Sequence, residues 1–137
     1  MSARDGMTKK AVVDALRRGR SLAGADMRGL CLSGISFEGA DLSEAKMAEC
    51  ELVGVDFTNA NLRQASLWRA ECKNAVFVGA NLEEADLDYA NLDGCTFKDA
   101  LVRKAVFPFA RLSREEVHQS VRTGARVRMT RPYRAGD

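Results

Sequence analysis

The chain repeats itself every five residues from Ala25 to Arg114, without a change of register. The third position of the repeat is apolar in all eighteen repeats, and the first is Ala in thirteen of them. A period of five matches neither the period of about 3.6 residues in a helix nor the period of about 2 in a strand. The repeat therefore predicts a chain that turns a corner every five residues and points one small and one large side chain inward.

A second period of twenty residues lies on top of the first. Third-position side chains of one type recur at this spacing, most clearly in the column Phe37, Phe57, Phe77 and Phe97. Four five-residue sides would close one coil, and like side chains would then stack at the inter-strand spacing of about 4.8 Å. The second position is often Asp or Asn, whose side chains bond to nearby backbone in tight turns.

The pattern A-(D/N)-(L/F)-x-x, written out in Ala40-Asp41-Leu42 and Ala60-Asn61-Leu62, resembles the pentapeptide-repeat family. The resemblance covers residues 25 to 114. It implies an all-β fold, a right-handed quadrilateral β-helix of about 4.5 coils that is roughly 22 Å long. We expect three segments, namely an N-terminal capping helix and lead-in over 1–24, the pentapeptide-repeat β-solenoid over 25–114, and a C-terminal capping helix and basic tail over 115–137.

Short amphipathic helices are expected to cap the core at both ends, because a solenoid exposes its last layer there. Thr8 is a candidate N-cap of the first helix. Ser113 and Glu116 form a capping box for the second, and Gly124 suits its end. Beyond that helix, the alternation in Arg126–Met129 predicts a short edge strand.

No group of residues has the composition of a catalytic or metal site. His118 is the only histidine and falls on a polar turn of the predicted second helix, where an exposed helix residue is expected. Cys50, Cys72 and Cys95 occupy inward positions and should be inert, whereas Cys31 points outward and is the one thiol expected to react. The sequence therefore predicts a protein that is not an enzyme and that needs no cofactor or metal.

Aromatic and basic side chains converge on one side of the predicted coil. Trp68, Arg69, Tyr89, Pro108 and Phe109 fall on neighbouring outward or corner positions. Trp, Tyr and Arg are the residue types that dominate protein interfaces. This aromatic ridge is a candidate partner-binding surface. Alternatively, Pro108 and Phe109 pack beneath the second helix, and Tyr89 stacks on Arg69.

Carboxylates crowd a single coil on the same solenoid. This acidic band consists of Glu83, Glu84, Asp86, Asp88 and Asp93, and no basic residue lies between positions 81 and 97. The band could attract a basic partner or hold the chain's own basic tail. Ordinary solvated charge is the simpler interpretation.

The net charge of +2 is unevenly distributed, at +4 over residues 1–24, −5 over 25–112 and +3 over 113–137. We expect a cytoplasmic, bacterial-type scaffold that binds a protein partner without catalysis and does not enter a membrane. The alternative, which the resemblance implies, is a DNA mimic that binds and protects a type II topoisomerase such as DNA gyrase. The short solenoid and the basic ends count against it.

Two further partners follow from the sequence. Nucleic acid could bind the basic tail, although a solvated tail is the preferred interpretation; the residues concerned are Arg122, Arg126, Arg128, Arg131, Tyr133 and Arg134. The outward apolar pair Leu101 and Val106 is compatible with a homodimer.

Overall fold

A ladder of parallel contacts between residues twenty apart builds the body of the protein. The computed structural model describes residues 6–131. Within it, thirteen isolated parallel β-bridges run from Asp26↔Lys46 to Asp86↔Val106, four in each full coil. Third-position N–H groups donate to the C=O nineteen residues later, as in Phe77 N to Thr96 O at 2.9 Å. The β-solenoid is therefore confirmed, but each side holds one bridge and no longer strand forms among residues 6–131.

Third-position side chains fill the axis of the solenoid. Phe37, Phe57, Phe77 and Phe97 stack in one column, with ring centroids 5.5, 4.9 and 5.0 Å apart and interplanar angles of 11°, 12° and 9°. All four rings are fully buried. Burial of each ring contributes about 1.5–3 kcal/mol, and each offset stacked pair adds about 0.5–1.5 kcal/mol.

The polar second position closes the turn of its own repeat. Asn81 Oδ1 accepts a hydrogen bond from Glu83 N at 2.9 Å, and Asp26 Oδ1 accepts one from Arg28 N at 3.2 Å. The Arg28 guanidinium also donates to the Asp26 carboxylate and holds its pKa at about 2. These side chains satisfy the N–H at the fourth position, which the ladder between coils does not use.

Every fifth-position residue from Gly24 to Lys104 has a positive φ. Glycine adopts this conformation without a steric penalty, whereas other residues are strained by it. Gly94 meets a second requirement, because a Cβ there would collide with Oδ1 of Asn74 in the preceding coil.

The first helix, α1, spans Lys9–Arg17 and covers the N-terminal end of the core with Val12 and Ala15. Thr8 is its N-cap as predicted, and its Oγ1 accepts from Ala11 N at 3.1 Å. The solenoid starts earlier than Ala25, because Leu22 N donates to Asp41 O at 2.9 Å in the ladder geometry. Residues 20–24, which we had expected to be a lead-in, form an additional side.

The second helix, α2, spans Arg114–Thr123, with Ser113 as its N-cap and Gly124 at its C-cap. Ser113 Oγ accepts from Glu116 N at 3.0 Å, but the Glu116 carboxylate accepts from Arg128 N rather than completing a capping box. The ladder of bridges ends at Val106, so the last repeat of the pattern, 110–114, forms the turn before α2 and the first residue of that helix.

α2 and the segment after it replace the missing next coil on two sides of the solenoid. Phe97 N donates to Ser120 Oγ at 2.8 Å, and Gly94 N donates to Val127 O at 2.8 Å. Val127 and Met129 are buried, as the alternation over 126–129 predicts. The expected edge strand does not form there, because the segment follows the corner at Gly94 and makes only scattered backbone contacts.

Replacing Phe77 with Ala should lower the free energy of unfolding by about 3–5 kcal/mol, because the ring is fully buried between two stacked neighbours. Chemical denaturation followed by circular dichroism measures this loss. Val78→Ala is the matched control, since Val78 is the exposed next residue. Equal losses in the two variants would contradict the assigned inward and outward positions.

Candidate protein-binding surface

The described residues contain no arrangement suited to catalysis or metal binding. His118 is exposed on α2, as expected. No group of three or more His, Cys, Asp or Glu side chains within residues 6–131 is placed to hold a metal ion. Every buried side-chain nitrogen and oxygen in this range has a hydrogen-bond partner. The candidate site is the outward surface that the sequence predicts.

The four cysteines are free and divide as predicted into three buried thiols and one exposed thiol, Cys31. Burial raises the pKa of Cys50 to about 11, and burial also raises the pKa of Cys72 and Cys95. Cys31 also has a raised pKa, chiefly because the Glu51 carboxylate, its bridge partner in the next coil, stabilises the protonated thiol. Exposure alone therefore does not make Cys31 a strong nucleophile.

Three members of the predicted ridge lie together on the surface, and we call Trp68, Arg69 and Tyr89 the aromatic patch. Trp68 and Tyr89 meet edge to face, with ring centroids 6.2 Å apart. The Arg69 guanidinium lies 5.4 Å from the centre of the Trp68 ring. Trp68 remains 37% and Tyr89 49% exposed. The patch thus presents two large rings and a cation to solvent on adjacent coils.

Two residues of the aromatic patch occupy strained backbone positions. Arg69 and Tyr89 are fifth-position residues with φ values of 58° and 61°. This left-handed conformation costs a non-glycine residue about 1–2 kcal/mol. Seven other repeats place glycine at the same position. Eight further repeats place another non-glycine residue there, so this strain is a general feature of the solenoid and does not single out the patch.

Phe109, the last ridge residue, belongs to the cap and not to the exposed patch. Its ring lies 5.7 Å from the ring of buried Phe107, and the Arg114 guanidinium lies 4.1 Å from its centre. Pro108 beside it is buried. The structure thus supports the alternative in which these two residues pack near the start of α2.

The acidic band is less uniform in the structure than in the sequence. Arg63 Nη2 lies 3.1 Å from Glu84 Oε1, and Arg103 Nε lies 3.0 Å from Glu83 Oε2. Both arginines lie about one coil away along the chain, outside the window that defines the band. The twenty-residue period could have predicted these ion pairs, because Arg63, Glu83 and Arg103 fall in one column.

The remaining band residues, Asp86, Asp88 and Asp93, accept backbone hydrogen bonds. Asp86 Oδ1 accepts from Asp88 N at 2.9 Å, and Asp88 Oδ1 accepts from Tyr89 N at 2.9 Å. Asp93 Oδ1 accepts from Met129 N at 3.0 Å, so the band does hold part of the chain's own C-terminal segment. These contacts give the carboxylates a structural role.

The described part of the basic tail follows the end of the solenoid. Arg126 Nη1 donates to Gly94 O at 2.6 Å, and Arg111 Nη1 donates to Arg131 O at 3.2 Å. Tyr133 and Arg134, also named as nucleic-acid candidates, lie outside the described residues. Within residues 6–131, neither helix has the length and apolar character needed to cross a bilayer.

Coils of twenty residues, inward apolar columns and turn-closing second positions define a solenoid of five-residue repeats. The family model for pentapeptide repeats matches residues 21–59, 56–88 and 80–114, in eight copies. The chain therefore belongs to the pentapeptide-repeat family. No curated protein matches it.

Solved structures of similar fold come from cyanobacteria and a plant. A pentapeptide repeat protein of Nostoc PCC 7120 shares 27% identity, with a TM-score of 0.71 over 76% of this chain and 88% of that one. One from the thylakoid lumen of Arabidopsis thaliana shares 30% identity, with a TM-score of 0.63 over 66% of this chain and 63% of that one.

A third structure is HetL, a Nostoc pentapeptide repeat protein involved in heterocyst differentiation regulation. It shares 28% identity, with a TM-score of 0.56 over 69% of this chain and 48% of HetL. The matched region thus spans less than two thirds of HetL and of the Arabidopsis protein.

Truncation of the aromatic patch should barely affect folding. Trp68→Ala should cost about 1 kcal/mol or less, because the ring is partly exposed. Tyr89→Gly should be equally mild, since glycine relieves the strain at a positive φ. Thermal unfolding of both variants beside Phe107→Ala, which removes a buried ring, is the test. Losses as large as that of Phe107→Ala would mean that the patch is part of the core.

Thiol labelling with Ellman's reagent should modify Cys31 alone in the folded protein, with the other three thiols reacting only after denaturation. Because the Glu51 carboxylate raises the Cys31 pKa, Glu51→Gln should lower that pKa and speed labelling at pH 8. Glu71→Gln, one coil further along, is the control. Rapid labelling of a second native thiol, or an unchanged rate in Glu51→Gln, would contradict this account.

Proposed function

We propose that the protein is a non-catalytic scaffold that binds a protein partner through the aromatic patch of Trp68, Arg69 and Tyr89. The observation that carries the proposal is the exposure of two large aromatic rings beside a cation, on a rigid solenoid face. Such residues supply most of the binding energy in protein interfaces. The proposal takes the coil to be right-handed and four-sided, as the family resemblance implies, and places the protein in the cytoplasm.

Two features of the patch support binding rather than incidental exposure. The rings contact each other and therefore lose little conformational freedom when a partner covers them. The backbone beneath them is held by ladder bonds, such as Arg69 N to Asp88 O at 3.1 Å.

A double variant, Trp68→Ala with Tyr89→Gly, tests the proposal. The full-length wild-type protein, the double variant and the control Val53→Ala are each used to capture partners from cells of the source species. Val53 is 40% exposed and apolar but lies outside the patch. We expect a partner that wild type and Val53→Ala retain and that the double variant loses by at least about tenfold. Equal recovery by all three proteins would reject the patch as the binding surface.

DNA mimicry toward a type II topoisomerase is the competing function, and the charge pattern argues against it. A DNA mimic needs a continuous negative face, whereas Arg63 and Arg103 interrupt this one with ion pairs. Supercoiling by DNA gyrase should therefore be unchanged by micromolar protein, with or without a fluoroquinolone. Inhibition or drug protection that is lost on reversing Glu83, Glu84, Asp86 and Asp88 would favour the mimic over the scaffold.

A further inference from the structure

The last coil of the solenoid is capped on two sides and open on the side formed by residues 100–104. Third- and fifth-position N–H groups of earlier coils donate to the coil that follows, as Leu82 N does to Leu101 O at 2.7 Å and Glu84 N to Arg103 O at 3.0 Å; Tyr89 N, which donates to Asp88 Oδ1, is an exception. In the last coil, α2 and the segment after it accept from Phe97, Asp99 and Gly94. Among the described residues, the corresponding N–H groups of Val102 and Lys104 have no hydrogen-bond partner.

The side chains at this open edge are apolar where a further coil would cover them. Leu101 is 54% exposed and stands in the column that holds Asn61 and Asn81 in the coils before it. Val102, the last residue of an otherwise fully buried leucine column, is only partly buried. An additional strand would therefore bury apolar surface as well as satisfy backbone donors.

The charges beside the edge indicate which strand would fit. Along the fourth-position column the sign alternates from Arg63 to Glu83 to Arg103, and Arg103 already pairs with Glu83 at 3.0 Å. Lys104 occupies the adjacent fifth position and makes no ion pair with any described residue. The fourth- and fifth-position columns thus each end on a cation, and acidic residues would complement both of them in an added strand.

We propose that this open edge binds an extended acidic segment of another protein, which adds as one more parallel side of the solenoid. In the register of the coils below, two adjacent apolar residues of the segment would cover Leu101 and Val102. Two carboxylates would then follow and face Arg103 and Lys104. The segment's carbonyls would accept from Val102 N and Lys104 N, and its own N–H would donate to Ala100 O, as Leu101 N does to Ala80 O at 2.9 Å.

This surface differs from the aromatic patch, which lies on the next side of the coil, so either proposal can fail without the other. The probe is a synthetic peptide of sequence Gly-Ala-Leu-Val-Glu-Glu-Gly with blocked ends. A second peptide with Lys-Lys in place of Glu-Glu is its control. Nitrogen–proton correlation NMR of the full chain follows the backbone amides during titration with each peptide.

We expect the Glu-Glu peptide to shift the amides of Val102 and Lys104 and to slow their hydrogen exchange, with the Lys-Lys peptide giving no such change. Reversal of the edge charges in the double variant Arg103→Glu with Lys104→Glu should lower the affinity for the Glu-Glu peptide by about tenfold. The same variant should bind the Lys-Lys peptide. Lys73→Glu, an exposed fourth-position change on another side, is the matched control and should alter neither titration.

Leu101→Asn separates binding from folding. Asn restores the residue type found at positions 61 and 81, whose side chains accept from Arg63 N at 3.1 Å and Glu83 N at 2.9 Å. The unfolding temperature of the variant should therefore equal or exceed that of the wild-type protein, while its affinity for the Glu-Glu peptide should be lower. Three results would overturn the proposal: no amide shifts at the edge, equal shifts with both peptides, or amides of Val102 and Lys104 already protected in the free protein. Sedimentation that shows a dimer broken by Leu101→Asn would assign the edge to a second copy instead.

Discussion

The backbone ladder between coils is the interaction on which the rest of the structure depends. Each coil exchanges hydrogen bonds with the next at a fixed offset, as in Phe57 N to Val76 O at 2.7 Å and Val76 N to Val55 O at 2.9 Å. This offset stacks every residue on the one twenty positions earlier. The phenylalanine column, the turn-closing Asp and Asn residues and the ion pairs between coils all follow from that single register.

The fold could be predicted from the sequence because the ladder restricts composition at every inward position. A third position that tolerated polar residues would have hidden the period, whereas here Phe77 and its column neighbours reveal the coil length directly. The ends could not be predicted with the same accuracy. Leu22 joins the ladder although its repeat lacks the small first residue, and residues 110–114 leave it although Ala110 and Leu112 match the pattern. At an end only one neighbouring coil is present, so local packing decides the outcome.

The candidate surface could be predicted only where neighbours in space are also neighbours in the twenty-residue register. Trp68 and Tyr89 were placed together because the register brings adjacent coils into contact. The contact of Phe109 with Arg114 depends on how the chain leaves the solenoid, which no period encodes. The ion pairs of the acidic band could not be predicted for a related reason. A window along the chain counts Glu83 and Glu84 but omits the arginines that lie above and below them.

Two of the exposed apolar residues, Leu101 and Val106, lie in the last coil, which is capped unevenly. α2 and the segment after it cover the sides that contain Gly94 and Phe97, and the apolar second-position residues Leu101 and Val106 occur on the two sides that follow. Earlier coils carry polar second positions on those sides, such as Asn81 and Asp86, which close their own turns. Replacement of such a residue by Leu101 removes an acceptor for the local N–H and adds exposed apolar surface. Both changes make it less favourable to leave this edge exposed to water. They favour the state in which another strand covers the edge.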